Sequence, residues 1–133
     1  MNMIQNPKAY CLVFLFLVYC LTSCSDVKYS QGEALYLANC SSCHMPEAGG
    51  VAKLYPALND LRNSDVKLDA LPCIIRYGQN KDIYSLEMEG LKNLSSIEIN
   101  NIINYLLNDI NGIELEYSID RTKGNLQNCK DTD

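Results

Sequence analysis

Residues 40–44 read Cys-Ser-Ser-Cys-His, and the rest of the chain is best read outward from them. Cysteines at i and i+3 near a helix end share one face, so both sulfurs can bond the two vinyl groups of one haem. His44 follows at once and can turn its imidazole beneath the iron as the proximal ligand. The pattern reads as a c-type haem attachment site. Two other readings compete on the pentapeptide alone. One is a thioredoxin-like dithiol, although no strand–helix–strand pattern surrounds it. The other is a zinc site, for which Cys73 and Cys129 could supply the missing ligands.

The histidine content narrows the choice. His44 is the only histidine in the chain, so a second imidazole ligand from the same subunit is excluded, and any histidine-dependent hydrolytic triad would have to use His44 itself. A six-coordinate haem then needs another distal donor. Of the four methionines, Met1 and Met3 fall in the N-terminal leader, and Met45 is bonded to His44 and cannot easily cross the haem plane. Met88 remains.

The leader is itself informative. Lys8 precedes the apolar run Ala9–Leu21, which ends at Thr22-Ser23-Cys24. As a helix that run would cover only about 20 Å, against a hydrocarbon core of roughly 30 Å. A short apolar run with a basic flank and small residues at its end is an export signal and not a membrane span. Leu21-Thr22-Ser23-Cys24 resembles the bacterial lipobox, in which Cys24 is acylated and becomes the first mature residue. Cys20 is disfavoured by the bulky Tyr19 before it. The expected organisation is a signal peptide over 1–23, a lipidated Cys24 with a tether to residue 29, a helical domain over 30–110 and a C-terminal extension over 111–133. The tether reaches roughly 15–18 Å at most, so the domain rides close to the bilayer.

Of the seven cysteines, Cys11 and Cys20 leave with the signal, Cys24 takes lipid, and Cys40 and Cys43 belong to the motif. Cys73 and Cys129 are then a reasonable disulfide pair in an oxidising compartment. Their bridge would close a loop of about 57 residues, worth on the order of 4 kcal/mol in the chain-entropy picture. Composition is ordinary for a globular domain, 47% apolar and 20% charged. All 16 acidic residues but only 10 of the 11 basic ones lie after residue 23. That acidic balance argues against a nucleic-acid binder, which needs a basic stripe; it suits a basic partner surface or a cationic small molecule, but taken alone it is the ordinary solubility state of a small domain.

Local patterns predict an all-α domain. Ser30 can cap a first helix over 31–43, with Ala34, Leu35, Leu37 and Ala38 as a partly apolar surface. Gly49-Gly50 and residues 54–58 read as loop. A second helix runs from about Asp69 to Tyr77, with Pro72 in its first turn and Gly78 as its stop. Ser95-Ser96-Ile97-Glu98 is a capping box with Leu94 and Ile99 as its staple. Ile99, Ile102, Ile103, Leu106 and Ile110 then recur at helical spacing up to Asn111-Gly112. The tail 113–133 is weakly patterned, with Cys129 as its tie to the body.

Over roughly residues 30–108 the chain resembles the class I c-type cytochromes. Gly32 and Tyr36 stand eight and four positions ahead of Cys40, similar to the family's glycine and aromatic, and Tyr105 falls at the aromatic partner in the C-terminal helix. Tyr55-Pro56-Ala57-Leu58 resembles the loop whose proline carbonyl accepts a hydrogen bond from the proximal histidine, which implies that Pro56 orients His44. Met88-Glu89-Gly90-Leu91, followed by Leu94-Ser95, resembles the distal methionine loop, with Glu89 where the family usually has proline. The resemblance implies a small cytochrome c fold around one covalent haem c, attached to Cys40 and Cys43, with iron between His44 and Met88. It implies an electron carrier with no substrate turnover of its own, held by lipid at the periplasmic face of a bacterial membrane. Its partner would be a membrane-bound oxidase, reductase or dehydrogenase. The alternative from another class is a haem-based ligand binder or peroxidase-like enzyme with an open sixth position; a third is a structural lipoprotein with a metal site. Lys53, Arg62, Arg76 and Tyr77 lie near the regions expected to meet the haem propionates, with nothing to choose among them.

Overall fold

A computed structural model describes residues 28–80 and 86–129. The leader, Cys24 and tether residues 25–27 lie outside the described residues. The first helix, α1, spans Ser30–Asn39 and is followed after Cys40 by the single turn α2, Ser41–His44. A 3-10 turn at Leu68–Ala70 leads into α3, Leu71–Tyr77. Two short strands, β1 (Gly78–Gln79) and β2 (Met88–Glu89), pair antiparallel with Gly78 opposite Glu89 and Gln79 opposite Met88. Then come α4, Ser96–Asn104, its π-helical continuation Tyr105–Ile110, and α5, Ile119–Gln127. Among the described residues no helix is long and apolar enough to cross a membrane.

The core lies where α1 crosses α4. Tyr36, Ile99, Ile102, Ile103 and Leu107 are fully buried, and Leu71, Ile75 and Leu94 close around them. The crossing is close because residue 32 has no side chain. A Cβ there would collide with the Asn101 carbonyl and stand 2.7 Å from Tyr105 Cβ. The Tyr36 and Tyr105 rings meet at 5.6 Å in a tilted pair, a favourable aromatic geometry.

Three local expectations need correction. Ser30 does not cap α1; the N-cap is Tyr29, with no side-chain cap bond. Ser30 is already in the first turn, because the Glu33 N–H reaches the Tyr29 carbonyl at 3.0 Å. The first helix also does not run unbroken to residue 43. Cys40 leaves helical geometry at φ −119°, and a fresh turn starts from it. The buried residues of α1 are Gly32 and Tyr36; of the expected apolar surface Leu35 packs against the core, whereas Ala34, Leu37 and Ala38 are exposed.

The helix caps fare better. Ser95 Oγ accepts from the Glu98 N–H at 3.3 Å, and Glu98 Oε2 accepts from the Ser95 N–H at 2.7 Å, the reciprocal capping box. Pro72 sits in the first turn of α3, and Gly78 ends it at φ 86°. The long helix continues past Asn104 in a wider π-helical form, with the Asn111 N–H reaching back to Leu106 O at 3.1 Å. Residues 102–107 are all buried, so this stretch is enclosed on every side and not on one stripe.

The enclosing element is the tail. Tyr117 is completely buried, and α5 packs on α3 and α4. Polar side chains do much of the joining. Asn104 Nδ2 donates to the Tyr117 carbonyl at 2.9 Å, and Asn104 Oδ1 accepts from the Tyr117 N–H at 2.8 Å. Cys129 is therefore not the tail's only tie to the body.

Candidate functional site

The five-residue motif builds a turn of its own. The Cys43 and His44 amides both reach the Cys40 carbonyl, at 3.1 and 2.9 Å, which winds α2 tightly and brings the His44 ring inward. His44 is 6% exposed. Beyond it the chain reverses through Met45 at φ 67°, a left-handed backbone that a side chain seldom adopts. The reversal is held from beneath, where the buried Tyr36 hydroxyl donates to the Met45 carbonyl at 2.7 Å. Burial raises the Tyr36 phenol well above its ordinary range, so it stays a donor.

The following loop is folded back to meet the imidazole. The Gly50 N–H donates to His44 O at 3.0 Å, Leu58 N–H to Ala48 O at 2.7 Å, and Val51 N–H to Tyr55 O at 3.0 Å. These bonds present the Pro56 carbonyl to the ring, 2.9 Å from His44 Nδ1. A carbonyl only accepts, so Nδ1 carries the proton and Nε2 keeps its lone pair. The imidazole is thus oriented with one nitrogen spent and the other available to a metal, as histidine ligands usually are.

Cys40 and Cys43 are both free thiols, Cys40 buried and Cys43 half-buried. Burial, with Cys43 nearby, pushes the Cys40 thiol up to about 11. That is opposite to the depressed value of a redox-active dithiol. The zinc reading fails on placement. Cys73 and Cys129 are joined to one another, Cα atoms 5.5 Å apart. Among the described residues, no three or more His, Cys, Asp or Glu side chains gather as a metal-holding group.

Met88 is half-buried in β2. Its segment is docked on the last turn of α3 by the β1–β2 ladder, by the Leu91 N–H to Ile75 O at 2.8 Å, and by Arg76 Nη1 to Lys92 O at 3.3 Å. Gly78 and Gly90 make the docking close. A Cβ on Gly78 would strike the Met88 carbonyl, and one on Gly90 would stand 2.7 Å from Tyr77 Cα. Of the side chains considered for the propionates, Arg62 is engaged with the Gly112 carbonyl at 2.9 Å and Arg76 with Lys92. Lys53 and Tyr77 are exposed.

Two unbridged thiols one turn apart and an imidazole oriented through Nδ1, with no bond to Nε2 among the described residues, fit a covalent haem; Met88 stands on a separately anchored strand. The large apolar side chains of Val51, Leu54, Tyr77 and Leu86 are more than a third exposed. Val51 and Leu54 lie in the segment that follows His44, and Tyr77 and Leu86 in the stretch that precedes Met88, where an apolar macrocycle would need walls. Sequence reading missed the Tyr36 hydroxyl as a brace for Met45. Its only signal was an aromatic one turn ahead of Cys40.

No curated protein matches the chain. Residues 27–106, more than half of it, match the model of the family described as cytochrome c oxidase, cbb3-type, subunit III. The helical fold built round residues 40–44 is accordingly a cytochrome c fold that carries haem c, and the chain belongs to that cbb3-type subunit III family.

Proposed function

We propose that the protein passes single electrons as a membrane-anchored, mono-haem cytochrome in which His44 and Met88 would hold the iron, and with no substrate turnover of its own. The observation that carries this reading is the bond from His44 Nδ1 to the Pro56 carbonyl, which commits the ring to a single ligating nitrogen. Cys40 and Cys43 hold the haem covalently. Haem c would supply reversible one-electron chemistry at iron, and donation from the Met88 thioether would favour the ferrous state and raise the potential. The chain's own residues keep both donors in place throughout, so little reorganisation accompanies transfer.

The family's name is that of an oxidase subunit, and it supports a membrane-bound oxidase as the redox partner of this chain. The net acidic balance after residue 23 supports a basic docking surface on that partner. A cytochrome c domain belongs on the exported, periplasmic side. There we read residues 1–23 as a cleaved signal, Cys24 as the lipid-bearing residue, 24–29 as the tether, 30–110 as the cytochrome domain and 111–133 as an extension bridged through Cys73 and Cys129.

Two variants test the reading. Met88→Ala should abolish the near-infrared charge-transfer band of methionine-ligated ferric haem and open the ferrous protein to carbon monoxide. A wild-type protein that already binds carbon monoxide rapidly and lacks the band supports the ligand-binding alternative. Cys24→Ala should move the protein from the membrane fraction to the soluble one, and retention would count against the anchor.

A further inference from the structure

The family match ends at residue 106, so it gives no role to the segment that follows. Polar side chains tie that segment to the body on two sides. The buried Asn104 carboxamide takes both the N–H and the carbonyl of Tyr117. Asn100 Nδ2 reaches the same carbonyl at 2.7 Å and Thr122 Oγ1 at 2.9 Å. Asn108 Nδ2 holds the Leu115 carbonyl at 2.9 Å. One side of the segment is thus fixed to α4.

Its other side grips α3. A single oxygen of Asp69, in the 3-10 turn that opens α3, accepts from Arg121 Nε at 2.6 Å, Asn125 Nδ2 at 3.1 Å and the Tyr117 hydroxyl at 3.1 Å. Cys129 meets Cys73 within α3 itself. That helix has only seven residues, too few to be stable alone. Its opposite end carries the Met88 strand through the β1–β2 ladder, the Leu91–Ile75 bond and the Arg76–Lys92 bond. Clamp and ligand strand therefore sit at the two ends of one short helix.

We infer that residues 113–129 are a clamp that fixes α3 and, through it, positions Met88 as the distal donor, so that small ligands are kept off the iron. The inference rests on the reading of Met88 as a ligand. Its physical basis is a population: a foreign ligand enters only in the fraction of molecules whose Met88 strand is displaced. Loosening the far end of α3 raises that fraction. Asp69 and Cys129 act through α3 and touch no reacting atom, so they are positioning residues.

The test uses full-length holoprotein with haem attached and reads carbon monoxide binding to the ferrous form together with the ferric charge-transfer band. Cys129→Ser and Asp69→Asn are preferred to truncation, which could prevent folding; circular dichroism confirms that each variant is helical. Both should bind carbon monoxide at least about tenfold faster than wild type, with a weaker band, as expected when the displaced fraction rises tenfold. Asp109→Ala, which removes the acceptor of the Tyr29 N–H at the start of α1 and leaves the Asp69 and Cys73 bonds of the clamp in place, should behave as wild type. If the band is present in wild type and lost in Met88→Ala, yet the clamp variants bind at the wild-type rate, the clamp is overturned and Met88 ligation stands. Equal acceleration in Asp109→Ala also overturns the clamp, because general loosening then explains the effect. A wild type without the band overturns both readings together.

Discussion

The pentapeptide marks His44 as the candidate ligand, but no local pattern shows its setting. Pro56 stands 12 positions away and was expected as its partner only from the family resemblance, and the folded loop brings its carbonyl to Nδ1. Asp69 was the first residue of an expected helix and nothing more. In the structure it collects three donors from the tail, chiefly Arg121 and then Asn125, which hold its carboxyl down at about 2. A folded value below the unfolded one, about 3.9, gives stability that is complete above about pH 4 and is lost as pH falls through about 2. The side chain is 57% exposed, so the contribution is modest. Acid unfolding of wild type and Asp69→Asn should show a constant stability difference above pH 4 that closes toward pH 2; a difference that widens with acidity would contradict the assignment. Asn104 is another residue whose role needed the fold. An asparagine between Ile103 and Tyr105 in an apolar helix was the available hint, and its partner Tyr117 lay in a stretch without periodicity.

At the level of elements, local chemistry was a good guide wherever the cause was local. The Ser95–Glu98 box, Pro72 in a first turn and Gly78 as a stop all depend on residues within four positions of each other, and each stands where expected. Ser95→Ala should cost about 1 kcal/mol, seen as a thermal midpoint lower by a few degrees; an unchanged midpoint would mean the cap is idle. Where the cause was tertiary, sequence reading went astray. Ser30 looks like a cap, but Tyr29 occupies that position as the chain enters against Asp109. The break at Cys40 and the left-handed Met45 answer to the demands of the haem turn and to Tyr36, neither of which alters helical periodicity. The wider turns of Tyr105–Ile110 have no compositional mark either.

For the molecule as a whole, fold class and haem motif were legible because a few residues carry them: the paired cysteines, the single histidine, Gly32 beside Tyr105, and the capped apolar helix. The tail was not, because its packing is made by polar side chains that reach backbone atoms across the fold. Its connection through Cys73 and Cys129 spans 56 positions. Cys129→Ser should lower unfolding stability by about 2–4 kcal/mol in denaturant titration, and a midpoint equal to wild type would show that the bond is not formed. On the proposed function, all these features serve a haem held covalently by residues 40–44. Haem staining and intact mass of the denatured, exported protein test it most directly, beside the double variant Cys40→Ser/Cys43→Ser. The expected result is haem that stays with the wild-type chain and is missing from the variant, whereas a wild-type chain that retains no haem after denaturation would contradict it.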